Sequence, residues 1–342
     1  MSNRSPMAIK FKRLLQAPRK TFLLLGPRGT GKTTWLHATL KPELIIDLLH
    51  SEQYFRYQSD PARIRKDLDH LEKGNWVVID EAQRVPELLN EIHSLYESKG
   101  IHFAITGSSA RKLRRSHANL LAGRALRCDF FPLVQAEIKN QKQISSCIDF
   151  GTLPGVVADP RHAAETLSAY VETYLTKEVA AQLHGQRLNA EALARDSAVK
   201  RRTVDNYIGI LEDTLLAYRL PALHLKWRAK ESAHPKLYFF DAGVARAAAG
   251  WLREDMPDAW RGFSFESLVL NEIRAYNSYE RKERELFHYD VAGSFDIDLV
   301  IETRKKILQR PPSYLAIEIK AAKIWNPKWS KILIGIASDP TS

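Results

Sequence analysis

Thr21-Phe22-Leu23-Leu24-Leu25-Gly26-Pro27-Arg28-Gly29-Thr30-Gly31-Lys32-Thr33-Thr34 decides the architecture of the first third of this chain. Five residues with the length of a buried strand run directly into G-x-x-x-x-G-K-[ST], and a helical stretch over 32–39 follows at once. Glycines let such a loop curl until its backbone N–H groups point inward at an anion, and the helix start adds its positive dipole end. The pattern therefore predicts a phosphate cradle made of Gly26, Pro27, Arg28, Gly29, Thr30, Gly31, Lys32, Thr33 and Thr34. ATP with Mg²⁺ is the expected occupant. Lys32 is expected to reach the β- and γ-phosphates, and the Thr33 hydroxyl to coordinate the metal.

Outward from the loop, short apolar runs recur at 44–48, 76–80, 102–106 and 126–130, with helical stretches at 61–73 and 86–99 between them. Such alternation predicts an α/β fold, a three-layer sandwich around a parallel sheet over residues 1–135. Trp76-Val77-Val78-Ile79-Asp80-Glu81 ends in two carboxylates. Asp80 is read as a second Mg²⁺ holder and Glu81 as the group that orients and polarises an attacking water. Read alone, the pair is equally an acidic end to a strand. The run at 102–106 closes in Gly107-Ser108-Ser109, where Ser108, with Thr106 behind it, either senses the terminal phosphate or caps the next helix. Arg124 is a candidate for stabilising transition-state charge, while Arg111, Arg114 and Arg115 also read as a solvated basic face.

Composition narrows the partners. Of the 342 residues, 51 are Lys or Arg and 40 are Asp or Glu, a formal net charge of +11 that suits an anionic partner such as DNA or RNA. Two cysteines without C-x-x-C spacing argue against a disulfide scaffold or a zinc site. No signal-peptide pattern and no membrane-spanning run is apparent, so a soluble, cytoplasmic protein without membrane partners is expected.

The character changes near residue 135. Residues 136–240 read as a helical and winged-helix-like region. Two helical stretches over 189–216 turn at Asp196-Ser197, and a two-stranded pattern follows at 217–225 and 236–240. Lys200-Arg201-Arg202 opens the second of these helices, where cations oppose the helix dipole unless an anion such as a DNA phosphate offsets them. Trp227, Arg228 and Lys230 in the intervening loop point the same way. Residues 241–342 read as a third, small α/β unit, with a helix over 263–276 and strands at 286–291, 297–301 and 314–320.

The runs G-P-R-G-T-G-K-T-T, V-V-I-D-E-A-Q, I-T-G-S-S-A-R-K-L and L-L-A-G-R-A-L, with F-F-P-L after them, resemble bacterial and archaeal AAA-type ATPases that carry a C-terminal domain of unknown function. The resemblance continues through Lys236-Leu237-Tyr238-Phe239-Phe240-Asp241 and Gly262 to Ile273, and ends in Asp296-Ile297-Asp298 and Glu318-Ile319-Lys320. It implies an ATPase core, a winged-helix-like middle and a restriction-endonuclease-like (PD-(D/E)XK) end. On that pattern Glu266, Asp298, Glu318 and Lys320 form a second, nuclease-like site, in which carboxylates hold a divalent cation. The basic loop at 304–312 departs from the usual pattern. The chain also stops about twenty residues after Lys320, where a further helix and strand are expected, so this unit reads as truncated. Three functions stay open from sequence: an ATPase acting on nucleic acid, a slow nucleotide-gated switch or assembly platform, and an ATP-gated nuclease. Homo-oligomers fit any of them.

Overall fold

Phe22–Leu25 (β1) is apolar at every position, and in the computed structural model it lies inside a sheet with a parallel neighbour on each side. The structure describes residues 11–109, 125–139, 143–174, 184–196, 198–224, 234–291, 295–308, 310–322 and 324–330. The chain divides into two compact units, Met1–Ile138 with Ile210–Leu216, and Lys139–Gly209 with Ala217–Ser342.

In the first unit β1 is followed by α1 (Lys32–Leu40), β2 (Leu44–Asp47), α2 (Ser51–Ser59), α3 (Arg63–Asp67), β3 (Trp76–Asp80), α4 (Leu88–Lys99), β4 (His102–Gly107), β5 (Leu126–Asp129) and α5 (Gln135–Ile138). The sheet runs β2-β3-β4-β1-β5 with every pair parallel. Parallel neighbours cannot be joined by tight turns, so the connections must cross back, and the helices occupy those crossovers. This is the P-loop NTPase α/β fold. Val77, Ile79, Phe103 and Ile105 of the central strands are fully buried and share one core with Leu88, Leu89, Ile92 and Leu95 of α4. The helix supplies them at i, i+1, i+4 and i+7, the spacing of a single apolar stripe, and each is worth roughly 1.5–3 kcal/mol. The helix expected over 61–73 is shorter than its periodicity suggested. Beyond Leu68 the backbone tightens into i→i+3 bonds, such as Leu71 N to Leu68 O at 3.2 Å, which bury Leu71 without a further helical turn.

The second unit opens with α6 (Ile144–Phe150), α7 (Pro154–Ala158) and α8 (Ala163–Tyr174). Then come β6 (Gln186–Arg187), α9 (Ala190–Asp196), α10 (Arg201–Asp213, whose end groups with the first unit), β7 (Ala217–Leu220) and β8 (Lys236–Phe239). The rest is α11 (Ala242–Ala248), α12 (Asp258–Tyr279), β9 (Leu286–Val291), β10 (Phe295–Arg304) and β11 (Ser313–Ile317). Two antiparallel sheets result, β6-β8-β7 and β11-β10-β9. The two-stranded pattern read from sequence thus gains a third strand, β6, too short to announce itself. The strand read over 217–225 ends at Leu220, because Pro221 has no N–H to continue the ladder. Past it the chain changes partner: His288 N donates to Pro221 O (3.0 Å) and Leu223 N to His288 O (2.8 Å), which ties the two sheets together. Leu220, Tyr238, Leu270, Leu299 and Ile301, drawn from β7, β8, α12 and β10, form a common core.

Candidate functional site

Because β4 lies between β3 and β1, the loop after β1, the tip of β4 and the end of β3 stand in a row at the carboxyl edge of the sheet, where α/β folds bind ligands. The loop keeps its shape for steric reasons. Gly29 and Gly31 have φ of 76° and 89°, and a Cβ on Gly26 would lie 2.3 Å from the Phe130 carbonyl oxygen. Thr30 Oγ1 donates to Pro27 O at 2.8 Å and closes the turn. A strap from the start of the described chain braces it further. Arg13 donates to Thr30 O (2.8 Å) and Phe131 O (2.6 Å), lies 4.0 Å from the Phe130 ring centroid, and pairs with buried Glu137 at 2.9 Å. The reading of the sequence missed Arg13, since nothing local distinguishes it from the other cations near it.

Thr33 Oγ1 donates to Asp80 Oδ2 at 2.5 Å. Thr106 Oγ1 donates to Asp80 Oδ1 and accepts from Glu81 N at 3.0 Å. Adjacent strand residues normally face opposite ways. Here Glu81 leaves the strand with φ of 55°, a left-handed conformation uncommon outside glycine, and both carboxylates act on Lys32. Ser108 Oγ donates to Glu81 Oε2 at 3.1 Å, and Gln83 Nε2 donates to both Glu81 Oε2 and Ser108 Oγ. Arg28 Nε stands 3.8 Å from Glu81 Oε1. Thr106 and Ser108 therefore both belong to the carboxylate cluster, and Gln83 is an addition that sequence reasoning did not make.

Lys32 is 6% exposed and donates to Gly26 O (2.7 Å) and Pro27 O (2.9 Å). Burial pushes its pKa down to about 8, against the pull of Glu81 and Asp80, with Arg28 adding to the fall. An ammonium facing neutral carbonyls in a buried loop is the charge arrangement that a polyphosphate complements. The hydroxyl of Thr33 and the carboxylate of Asp80 are hard oxygen donors, the type Mg²⁺ prefers. The residues present thus fit both groups.

Arg124, with Arg111, Arg114 and Arg115, lies outside the described residues, as do Trp227, Arg228 and Lys230. Of the three cations opening α10, Arg201 is already paired with Glu191 (2.6 Å) and Asp205 (3.7 Å), and Lys200 and Arg202 are exposed.

In the second unit the fold brings Glu266, Asp298, Glu318 and Lys320 together. Glu318 and Lys320 lie just beyond β11 rather than on the expected strand over 314–320, yet their side chains meet at 2.5 Å. Lys320 Nζ is also 3.2 Å from Asp298 Oδ2. Three residues that the sequence did not assign to this site join or flank them. Lys236 pairs with Glu266 and Asp298, Tyr238 donates to Glu266, and Arg187 pairs with Asp290 at 2.9 Å. Burial draws the Lys236 pKa down, but Glu266, Asp296 and Asp298 together outweigh it and hold the group above its ordinary range. Among the described residues no three His, Cys, Asp or Glu side chains are disposed to hold a metal ion. The cluster as folded does not fit the divalent cation that the nuclease pattern implies.

By fold the first unit is a P-loop NTPase domain. Residues 18–139 match the family model of an AAA domain. Residues 178–255 and 261–341 match two domains of unknown function, DUF8612 and DUF4143. An uncharacterized protein of Haemophilus influenzae is 23% identical over 222 residues, 55% of this chain and 56% of its own length, so the chain spans just over half of that relative. The uncharacterized protein MJ1544 of Methanocaldococcus jannaschii is 21% identical over 346 residues, covering 85% of this chain and 74% of its own. Among solved structures, a Thermotoga maritima RuvB mutant aligns at 18% identity and a TM-score of 0.33, over 59% of this chain and 82% of that one. The Aeropyrum pernix ORC1 protein in complex with DNA aligns at 14% and 0.31, over 69% and 87%. No helix among the described residues is long and apolar enough to cross a membrane.

Proposed function

We propose that this protein binds ATP with Mg²⁺ at residues 26–34, hydrolyses it, and couples the cycle to work on nucleic acid. The observation that carries the reading is the continuous chain Thr33–Asp80–Thr106–Glu81–Ser108, which links the start of α1 to two carboxylates across the ends of β3 and β4. Backbone N–H groups of the loop and the Lys32 ammonium bind the phosphates. Thr33 and Asp80 hold Mg²⁺, which when bound supplies charge neutralisation at the phosphoryl oxygens. Glu81 orients the attacking water and accepts its proton, while Ser108 and Gln83 fix the carboxylate in place. The net charge of +11 and exposed Lys200 and Arg202 at the start of α10 support an anionic polymer as partner, with α9, α10 and the β6-β8-β7 sheet read as winged-helix-like.

One observation favours a slower, switch-like cycle. Glu81 is engaged by Arg28, Ser108 and Gln83 at once, so its carboxylate must be released before it can act on water. The test is ATP turnover with and without DNA or RNA, in the wild type and in Glu81→Gln. The variant should bind ATP and lose turnover by about 10²-fold or more, the scale of a general base. Unchanged turnover in Glu81→Gln removes the catalytic assignment. Basal turnover raised by Arg28→Ala, with no response to nucleic acid, supports the switch.

A further inference from the structure

The acidic cluster of the second unit already contains its cation. Lys236 opens β8, the middle strand of its sheet, and its backbone is in register with Arg187 on one side and Leu220 on the other. Its side chain is 6% exposed, and its Nζ lies 3.4 Å from Glu266 Oε1, 3.6 Å from Asp296 Oδ1 and 3.8 Å from Asp298 Oδ1. Tyr238, two residues along and so on the same face, donates to the same Glu266 oxygen. The other Asp298 oxygen, Oδ2, accepts from Ile319 N at 2.8 Å and faces Lys320 Nζ at 3.2 Å.

From this geometry we infer that the Lys236 ammonium is the resident cation of the cluster, standing where a nuclease-like pattern places a divalent ion, and that the cluster is a clamp rather than a metal-dependent cleavage centre. Three facts carry it. A divalent ion needs carboxylate oxygens within about 2.0–2.6 Å, and both oxygens of Asp298 are already committed to cationic or N–H partners. The ammonium is held by its three carboxylate partners, on a backbone fixed by pairing at both edges of β8, and Tyr238 donates to the same Glu266 oxygen. Finally, the groups come from separate elements: Lys236 from β8, Glu266 from α12, Asp296 and Asp298 from β10. An internal ion pair that joins one sheet to the helix and strand of another fixes their register, which is the use best attested for buried polar clusters. Removing the ammonium leaves Glu266, Asp296 and Asp298 facing one another without a cation, a charge that a divalent ion would offset once the carboxylates close in.

The test uses the full chain without nucleotide, titrated with Mn²⁺ and read by the electron paramagnetic resonance of the free ion. Wild type and Asp298→Asn should give the same isotherm. Lys236→Met should gain one site, and Lys236→Met combined with Asp298→Asn should lose it again. A wild-type site removed by Asp298→Asn overturns the inference, and so does a folded Lys236→Met that gains nothing. A second measurement needs no variant at position 236. With isoleucine methyl groups labelled, the Ile319 signal should keep its linewidth when one equivalent of Mn²⁺ is added to wild type. Selective broadening of that methyl places the metal in the cluster and refutes the clamp.

Discussion

ATP binding should draw a proton onto Lys32, and the size of that uptake follows from the loop. In the free protein the ammonium donates to the carbonyls of Gly26 and Pro27, and burial, outweighing the pull of Glu81 and Asp80, lowers its pKa from 10.5 to about 8. At about pH 8 roughly half the molecules therefore carry a neutral amine, and at about pH 7 roughly a tenth. Phosphate oxygens at the same position favour the charged form and return the pKa towards its ordinary range. Binding should then take up about 0.5 proton near pH 8 and about 0.1 near pH 7, and affinity should fall about tenfold for each further pH unit above 8. The same shift bears on stability. The folded pKa lies below the unfolded one, so the unfolded chain binds more protons between about pH 8 and 10.5. Burying this charge costs roughly 3 kcal/mol at neutral pH, and the cost is relieved as pH rises through that window. Calorimetric titration with ATP and Mg²⁺ in buffers of different ionisation enthalpy reads the uptake as a slope. Lys32→Arg, whose guanidinium stays protonated throughout, is the comparison. Equal uptake in the two proteins, or a wild-type slope that does not change between pH 7 and 9, would refute the reasoning.

Thr106→Val keeps the side-chain shape but strips Asp80 of a donor and Glu81 N of an acceptor. A loss of about 1–3 kcal/mol in stability is expected, with turnover reduced at least tenfold and Thr106→Ser close to wild type, as steady-state kinetics and urea titration would show. Arg13→Ala leaves Glu137, whose side chain has no exposed surface, without its cation. The expected cost is about 3–5 kcal/mol in chemical denaturation at neutral pH, and a change below about 1 kcal/mol would mean the strap does not brace the loop. Gly151→Ala places a Cβ 2.0 Å from Asp241 Oδ1 at a φ of +70°, against a carboxylate that also caps α11 through Val244 N at 3.0 Å. It should destabilise the second unit by about 3 kcal/mol or more, seen as a lowered midpoint in thermal or urea unfolding, with no change in ATP affinity.

What the sequence could settle was whatever is encoded over a short span. The phosphate loop is a set of backbone conformations, and Gly29 and Gly31 at positive φ, Lys32 at the helix start and the apolar strand ahead of them are all within a dozen residues. Asp80 and Glu81 were legible for the same reason: a buried strand ending in two acids is a local pattern, and only the left-handed turn at Glu81 that brings both to Lys32 was hidden. The second cluster was partly legible, since Asp298, Glu318 and Lys320 follow a known spacing. Tertiary structure decided the rest. Arg13 meets Phe131 and Glu137 more than a hundred residues away, and Lys236 reaches Glu266 and Asp298 only because β8, α12 and β10 share a core. Neither contact leaves a mark on local composition, because a buried cation is indistinguishable in sequence from a solvated one until the fold supplies its carboxylate. The phosphate loop was therefore readable from its own residues, whereas the cation that closes the second site could be found only where separate strands and a helix converge.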